Sequence, residues 1–187
     1  MRRRFVPGVL WVDSLAGGDM KGPIVITGFM GCGKTRVARE LARRLNLPMT
    51  DLDETITERE GRSPAQLIVE DSEAAFRAIE SNALRELLLT SAAGVISLGG
   101  GAWIQENNRK LITQHDCLTV WLDTPFEVCW ARIEASAEHR PLGKTRAQAQ
   151  ALYDRRRPIY QLAQVHVSLT RDENIDSILA IINSQLG

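Results

Sequence analysis

Eight residues, Gly28-Phe29-Met30-Gly31-Cys32-Gly33-Lys34-Thr35, match the spacing G-x-x-x-x-G-K-[ST]. That spacing has a chemical purpose. Glycines let the backbone turn tightly and point successive N–H groups inward, where they hold phosphate oxygens. A helix starting near the lysine adds the positive end of its dipole. The lysine reaches the β- and γ-phosphates, and the hydroxyl that follows it can ligate Mg²⁺. Gly31, Cys32, Gly33, Lys34, Thr35 and Arg36 are therefore candidate ATP contacts, with Lys34 also catalytic and Thr35 also a metal ligand. A glycine turn with no further purpose would not need the complete pattern.

Other residues whose types can do chemistry lie further on. Asp51-Leu52-Asp53 puts two acids at the end of a short apolar run. Read alone, they are a helix cap and a solvated acid; beside bound ATP, one can serve the metal shell and the other the phosphoryl acceptor. In a strand they would point to opposite faces unless the chain is already turning. Arg77 and Glu80 stand one helical turn apart, which alone reads as a surface ion pair of little worth. Arg140-Pro141-Leu142 and Arg155-Arg156-Arg157-Pro158 would ordinarily be solvated. Phosphoryl transfer, however, needs fixed cations, and arginine also grips carboxylates at two points. Gly99-Gly100-Gly101 is a costly, flexible choice that makes sense where backbone approaches a ligand closely.

These residues must be positioned by regular elements, and the hydrophobic pattern supplies them. Pro23 to Thr27 reads as a buried strand leading into the glycine loop, and Val37, Ala38, Leu41, Ala42 and Leu45 recur at helical spacing after it. Further strands are expected at Met49–Leu52, Gly94–Leu98, Leu118–Leu122 and Val165–Leu169. Helices are expected from Glu54 to Glu60, after the cap signature Ser63-Pro64, and from Glu73 to Leu89. More follow at Gln105–Gln114, after Thr124-Pro125, at Arg146–Leu162, and over Ile175 to Leu186. Strands alternating with helices imply an α/β fold, a parallel sheet covered on both faces. Ligands bind such sheets beyond the carboxyl ends of the strands, which is where the glycine loop, both aspartates and the triple glycine fall.

Composition narrows the class. At 187 residues the chain suits one α/β domain. A formal net charge of zero gives no global case for nucleic-acid or anionic-membrane partners. No apolar run approaches the ~20 residues of a membrane span. Cys32, Cys117 and Cys129 are odd in number and lack metal-ligand spacing, which favours a reducing cytosol and a cytoplasmic protein. Residues 1–19 mimic a targeting segment, but Pro7, Gly8 and Asp13 interrupt its apolar part. They are expected to form a disordered extension, with Met20 the physiological start and 20–187 the single domain.

Taken together, the motifs resemble the shikimate kinase family over essentially Gly22 to Leu186. The resemblance is carried by Gly28 to Thr35, Asp51-Leu52-Asp53, Phe76-Arg77-Ala78-Ile79-Glu80, Gly99-Gly100-Gly101-Ala102, Arg140-Pro141-Leu142 and Arg156-Arg157-Pro158-Ile159-Tyr160. It implies a nucleoside-monophosphate-kinase-like fold with sheet order 2-3-1-4-5 and a mobile lid at about 135–145. It also implies transfer of the ATP γ-phosphoryl group to the 3-hydroxyl of shikimate, with Mg²⁺ as cofactor, by a monomer. Within that resemblance, Asp53 holds the acceptor hydroxyls as base or orienter. Arg77, Arg156 and Gly99 to Gly101 bind the acceptor and its carboxylate. Arg140 meets the ATP phosphates, Asp51 supports Mg²⁺ through water, and Glu80 partners Arg77. Arg132 or Arg171 is a weaker match for an adenine-side contact. Gly143 and Trp103 depart from the family pattern, which more often has leucine and smaller residues there.

Two readings compete. A gluconate-kinase-like enzyme would share the loop but has no need for two arginines aimed at a carboxylate in this arrangement. A non-catalytic binding protein of the same fold would be expected to lose Lys34, Asp53 or an arginine. The loop generates its own prediction. Lys34→Ala should abolish phosphoryl transfer almost entirely, read as ADP release under saturating ATP, and retention of near-normal transfer would refute the role given to this lysine.

Overall fold

The computed structural model describes residues 22–90, 94–136, 143, 145–169 and 175–184. The expected extension 1–19 with Met20, Arg140 with most of the 135–145 segment, Arg171 and Leu186 lie outside the described residues.

Strand β1 (Ile24–Thr27) is apolar and β-branched, and all of it is buried. It is the middle strand of a five-stranded sheet ordered β2-β3-β1-β4-β5, with β2 at Met49–Asp51, β3 at Val95–Ser97, β4 at Leu118–Asp123 and β5 at Val165–Ser168. Every neighbouring pair is parallel. This is the expected 2-3-1-4-5 order. The central strands β1 and β3 are buried throughout, whereas the edge strand β5 alternates, with Val165 and Val167 inside and His166 and Ser168 outside.

Helices connect the strands and supply both covering layers. They are α1 (Lys34–Leu45), α2 (Leu52–Glu60), α3 (Pro64–Glu70), α4 (Glu73–Thr90), α5 (Glu106–Gln114), α6 (Phe126–Ala135), α7 (Arg146–Tyr160) and α8 (Ile175–Asn183). The expected apolar stripe of α1 is buried at Val37, Ala38, Leu41 and Ala42. The apolar face of α4 is buried at Phe76, Ala83, Leu84, Leu87 and Leu88. Asn46 ends α1 in the left-handed conformation at φ 51°, and its N–H meets the Ala42 and Arg43 carbonyls. Ser63 and Gln66 form a reciprocal capping box at α3, as the Ser63-Pro64 signature predicts. None of the described helices is long and apolar enough to cross a membrane.

The boundaries differ from the periodicity in two informative places. Strand β2 stops at Asp51, because that side chain accepts the Asp53 N–H at 3.0 Å and starts α2 at once. Leu52 and Asp53 are therefore helical, and the chain is turning where the two acids occur. Helix α7 ends at Tyr160 and not Leu162, with Pro158 inside its last turn. This places Arg156 and Tyr160 on the same side of α7, one turn apart.

Candidate active site

Beyond the carboxyl ends of β1, β2 and β3, the sheet carries two facing loops. The first runs from Gly28 to Gly33. Gly28 has φ 145°, and a Cβ there would stand 2.9 Å from both Cys32 Sγ and the Leu122 carbonyl oxygen. Gly31 has φ 75°, and its Cβ would meet the Cys129 carbonyl at 2.7 Å. Neither position admits a side chain. Cys32 is buried as a small residue that fits this space. Its carbonyl accepts from Thr124 Oγ1, and Arg132 Nη1 lies 3.2 Å from the carbonyls of both Gly31 and Cys32. Arg132 thus stands directly over the loop.

Lys34 folds back over the same loop. Its Nζ donates to the Gly28 carbonyl at 3.1 Å and the Phe29 carbonyl at 2.9 Å. Thr35 Oγ1 donates to Asp51 Oδ2 at 2.7 Å, with Ser97 Oγ 3.5 Å away. The candidate metal pair, Thr35 and Asp51, is therefore brought together as oxygen donors from α1 and the end of β2. Such donors suit a hard cation. Arg36 is exposed on the first turn of α1. A cation above the loop, a lysine across it and a paired hydroxyl beside it make a site for a polyphosphate.

The second loop is Gly99 to Gly101, which follows β3. The floor it forms is enclosed by α2, α3, α4 and α7 around a cavity of about 830 Å³. Met30, Asp53, Phe76, Arg77, Glu80 and Arg156 reach that cavity together with the glycines. A Cβ at Gly99 would stand 2.5 Å from Asp53 Oδ1 and 3.0 Å from Glu80 Oε1. At Gly101 it would run into the Arg77 guanidinium. Site side chains thus crowd over Gly99 and Gly101, while the Met30 backbone lies against Gly100. Asp53, Arg77, the glycine strip and Arg156 are brought together as the sequence predicts.

Arg77 and Glu80 are not the surface pair that their spacing suggests on its own. Glu80 is fully buried, and its Oε2 accepts from Arg77 Nη1 at 2.8 Å. Glu73 takes a second Arg77 nitrogen at 3.1 Å. Burial pushes the Glu80 carboxyl up to about 7, although Arg77 works in the other direction. Burial opposes the charge of Arg77 as well, yet Glu80 and Glu73 hold it above its ordinary value. Arg156, 7 % exposed, is shifted down by burial and by the neighbouring Arg77. Its Nη1 donates to the Gly100 carbonyl at 3.0 Å. Two guanidiniums facing one open cavity, that of Arg156 buried and that of Arg77 half-buried, favour an anion between them.

Three site contacts were not assigned a role in the sequence. Tyr160 donates its hydroxyl to the Gly100 carbonyl at 2.5 Å. Trp103 Nε1 donates to the Ile159 carbonyl at 2.9 Å. Met30 lies between the two loops, 3.3 Å from its backbone nitrogen to a Cβ built at Gly100. Tyr160 belongs to the Arg-Arg-Pro-Ile-Tyr run, so its proximity to Arg156 was the one available signal.

A family model described as shikimate kinase matches residues 30–186. Among curated relatives, the shikimate kinase of Ruegeria pomeroyi is 38% identical over 159 residues, covering 83% of this chain and 80% of that protein. The shikimate kinase of Cereibacter sphaeroides is 40% identical over 151 residues, covering 79% and 74%. Among solved structures, shikimate kinase from Acinetobacter baumannii in complex with shikimate superposes with a TM-score of 0.80 at 30% identity, covering 88% of this chain and 93% of that one. A gluconokinase from Sinorhizobium meliloti, with TM-score 0.58, 18% identity and coverage of 89% and 92%, shares the fold.

The buried acid yields a pH prediction with a definite sign. Glu80 has a folded-state pKa above that of an ordinary glutamate, so its contribution to stability is present below about pH 4.5 and lost as pH rises to about 7. Glu80→Gln should remove that part of the pH dependence, seen in denaturant unfolding of both proteins at pH 5, 6, 7 and 8. Parallel pH profiles for the two proteins would contradict the assignment.

Proposed function

The chain belongs to the shikimate kinase family, and on that premise we propose that it transfers the γ-phosphoryl group of ATP to the 3-hydroxyl of shikimate. The products are shikimate 3-phosphate and ADP. One observation carries the acceptor assignment. Arg77 from α4 and Arg156 from α7 meet over a side-chain-free glycine floor, across from the polyphosphate loop. A gluconate-type acceptor would also carry a carboxylate, but the family match speaks for the cyclic acid.

The donor half is Gly31, Cys32, Gly33, Lys34, Thr35 and Arg36. Backbone N–H groups of the loop hold phosphate oxygens, and Lys34 exchanges its Gly28 and Phe29 carbonyls for the β- and γ-phosphates. Thr35 and Asp51 would hold Mg²⁺, Asp51 through water. When bound, the ion neutralises charge that develops on the transferred group. Arg140 is assigned to the same phosphates by its place in the family motif, and Arg132 stands over the loop where an adenine-side contact is expected.

The acceptor half is Asp53, Arg77, Gly99, Gly100, Gly101 and Arg156. The two arginines hold the carboxylate, which fixes the ring and brings one hydroxyl toward the γ-phosphorus. That hydroxyl oxygen forms the new O–P bond as the bond to the bridging β-oxygen breaks. Asp53 orients the hydroxyl and is the carboxylate available for its proton. Holding both reactants on one rigid sheet edge removes much of the entropic barrier to their meeting.

Arg77→Ala tests the acceptor assignment. Losing one partner of a buried, hydrogen-bonded charge pair costs about 3 kcal/mol, so shikimate Kd should rise roughly a hundredfold by calorimetry. ATP affinity should change little. An unchanged shikimate Kd would show that the carboxylate is held elsewhere.

A further inference from the structure

The two arginines of the acceptor site are held in different ways. Arg77 is clamped by two carboxylates, Glu73 and Glu80. Arg156 instead rests on backbone, with its Nη1 on the Gly100 carbonyl at 3.0 Å. Where its guanidinium points therefore depends on how α7 sits against the glycine strip.

Bonds running in both directions set that relation. From α7 to the strip, Arg156 and the Tyr160 hydroxyl both donate to the Gly100 carbonyl, at 3.0 and 2.5 Å. That carbonyl has two lone pairs, and the two donors use both. From the strip back to α7, Trp103 Nε1 donates to the Ile159 carbonyl at 2.9 Å. Trp103 stands in the 3-10 turn Ala102–Ile104, two residues after the strip ends. It is 3% exposed and Tyr160 is 2% exposed, so both polar groups are bonded out of reach of water. The turn itself is pinned from the far side. Asn108 Nδ2 donates to the Ala102 carbonyl at 3.0 Å, and Arg109 Nη1 donates to the Trp103 and Ile104 carbonyls at 2.8 Å each. Trp103 is thus a stiff post between α5 and the end of α7.

We propose that Trp103 and Tyr160 are positioning residues that fix Arg156 against the glycine strip and so set the affinity for the acceptor's carboxylate. The inference rests on the reading of Arg156 as one arm of the carboxylate grip. Its physical basis is the narrow tolerance of a two-point guanidinium–carboxylate contact, which a displacement of about 0.5 Å degrades. Arg156 lies three residues before Ile159 and four before Tyr160, so loosening the last turn of α7 moves the arginine with it. The donor loop shares none of these bonds and meets the strip at the Met30–Gly100 backbone contact, which neither Trp103 nor Tyr160 makes, so its response should be small.

Trp103→Phe keeps a ring and removes the N–H donor; Tyr160→Phe removes a single oxygen and is the milder change. Shikimate and ATP Kd values would be measured by calorimetry on wild type and both variants, with steady-state KM and kcat alongside. Each variant should weaken shikimate binding about tenfold, leave ATP Kd and saturating kcat within about twofold, and raise KM for shikimate alone. A purely structural role would move both Kd values together or neither, and either result overturns the proposal. Wild-type protein that fails to bind shikimate would overturn the carboxylate reading and this inference with it. Normal wild-type binding with unshifted variants would overturn this inference alone.

Discussion

Two backbones touch at the centre of this molecule. Gly100 lies against Met30 so closely that a side chain on the glycine would start 3.3 Å from the Met30 nitrogen. The contact follows from the sheet, where β1 and β3 are hydrogen-bonded neighbours that end at the same level. One strand runs into the phosphate loop and the other into the acceptor floor. Phosphoryl donor and acceptor are thereby held on a common rigid edge, and the helices serve to bring charge to it. Helix α1 begins with Lys34 and Thr35, α2 carries Asp53, α4 carries Arg77 with Glu80, and α7 carries Arg156.

Charge in the site is balanced by geometry and not by exposure to water. The Arg77–Glu80 pair is buried, and pairs of that kind contribute little to stability once desolvation is counted. What burial secures is direction. Glu80 and Glu73 leave Arg77 one orientation, toward the glycine floor, while Arg156 is held by the Gly100 carbonyl. Both guanidiniums are short of water, so an incoming carboxylate meets cations whose own solvation was surrendered on folding. Asp53 and Glu80 bring negative charge to the same cavity, so that it is not a bare positive hole.

Much of this was legible in the chain. Gly28 to Thr35 announced the donor site because its glycines answer to a local backbone geometry that few sequences need. The strands and the α1 stripe followed from apolar spacing. Sheet order rested on resemblance, since periodicity does not say which strands are neighbours. The burial of Glu80 was hidden for a related reason. An arginine and a glutamate three residues apart look the same on a solvated face as over a cavity, and only α2 and the glycine strip packing onto α4 distinguish the two. The bond from Trp103 to Ile159 spans 56 residues of sequence and leaves no periodic trace. The early end of β2 was a contest between strand continuation and the Asp51 cap, which the cap won.

The central claim is that one phosphate loop and one glycine floor form the two halves of a shikimate kinase site. It is tested most directly by following ADP release from ATP and Mg²⁺ with shikimate, with gluconate, or with no acceptor. The account predicts ADP formation with shikimate at a rate far above the other two, matched mole for mole by shikimate 3-phosphate. ADP release that is indifferent to shikimate, or that is faster with gluconate, would contradict it.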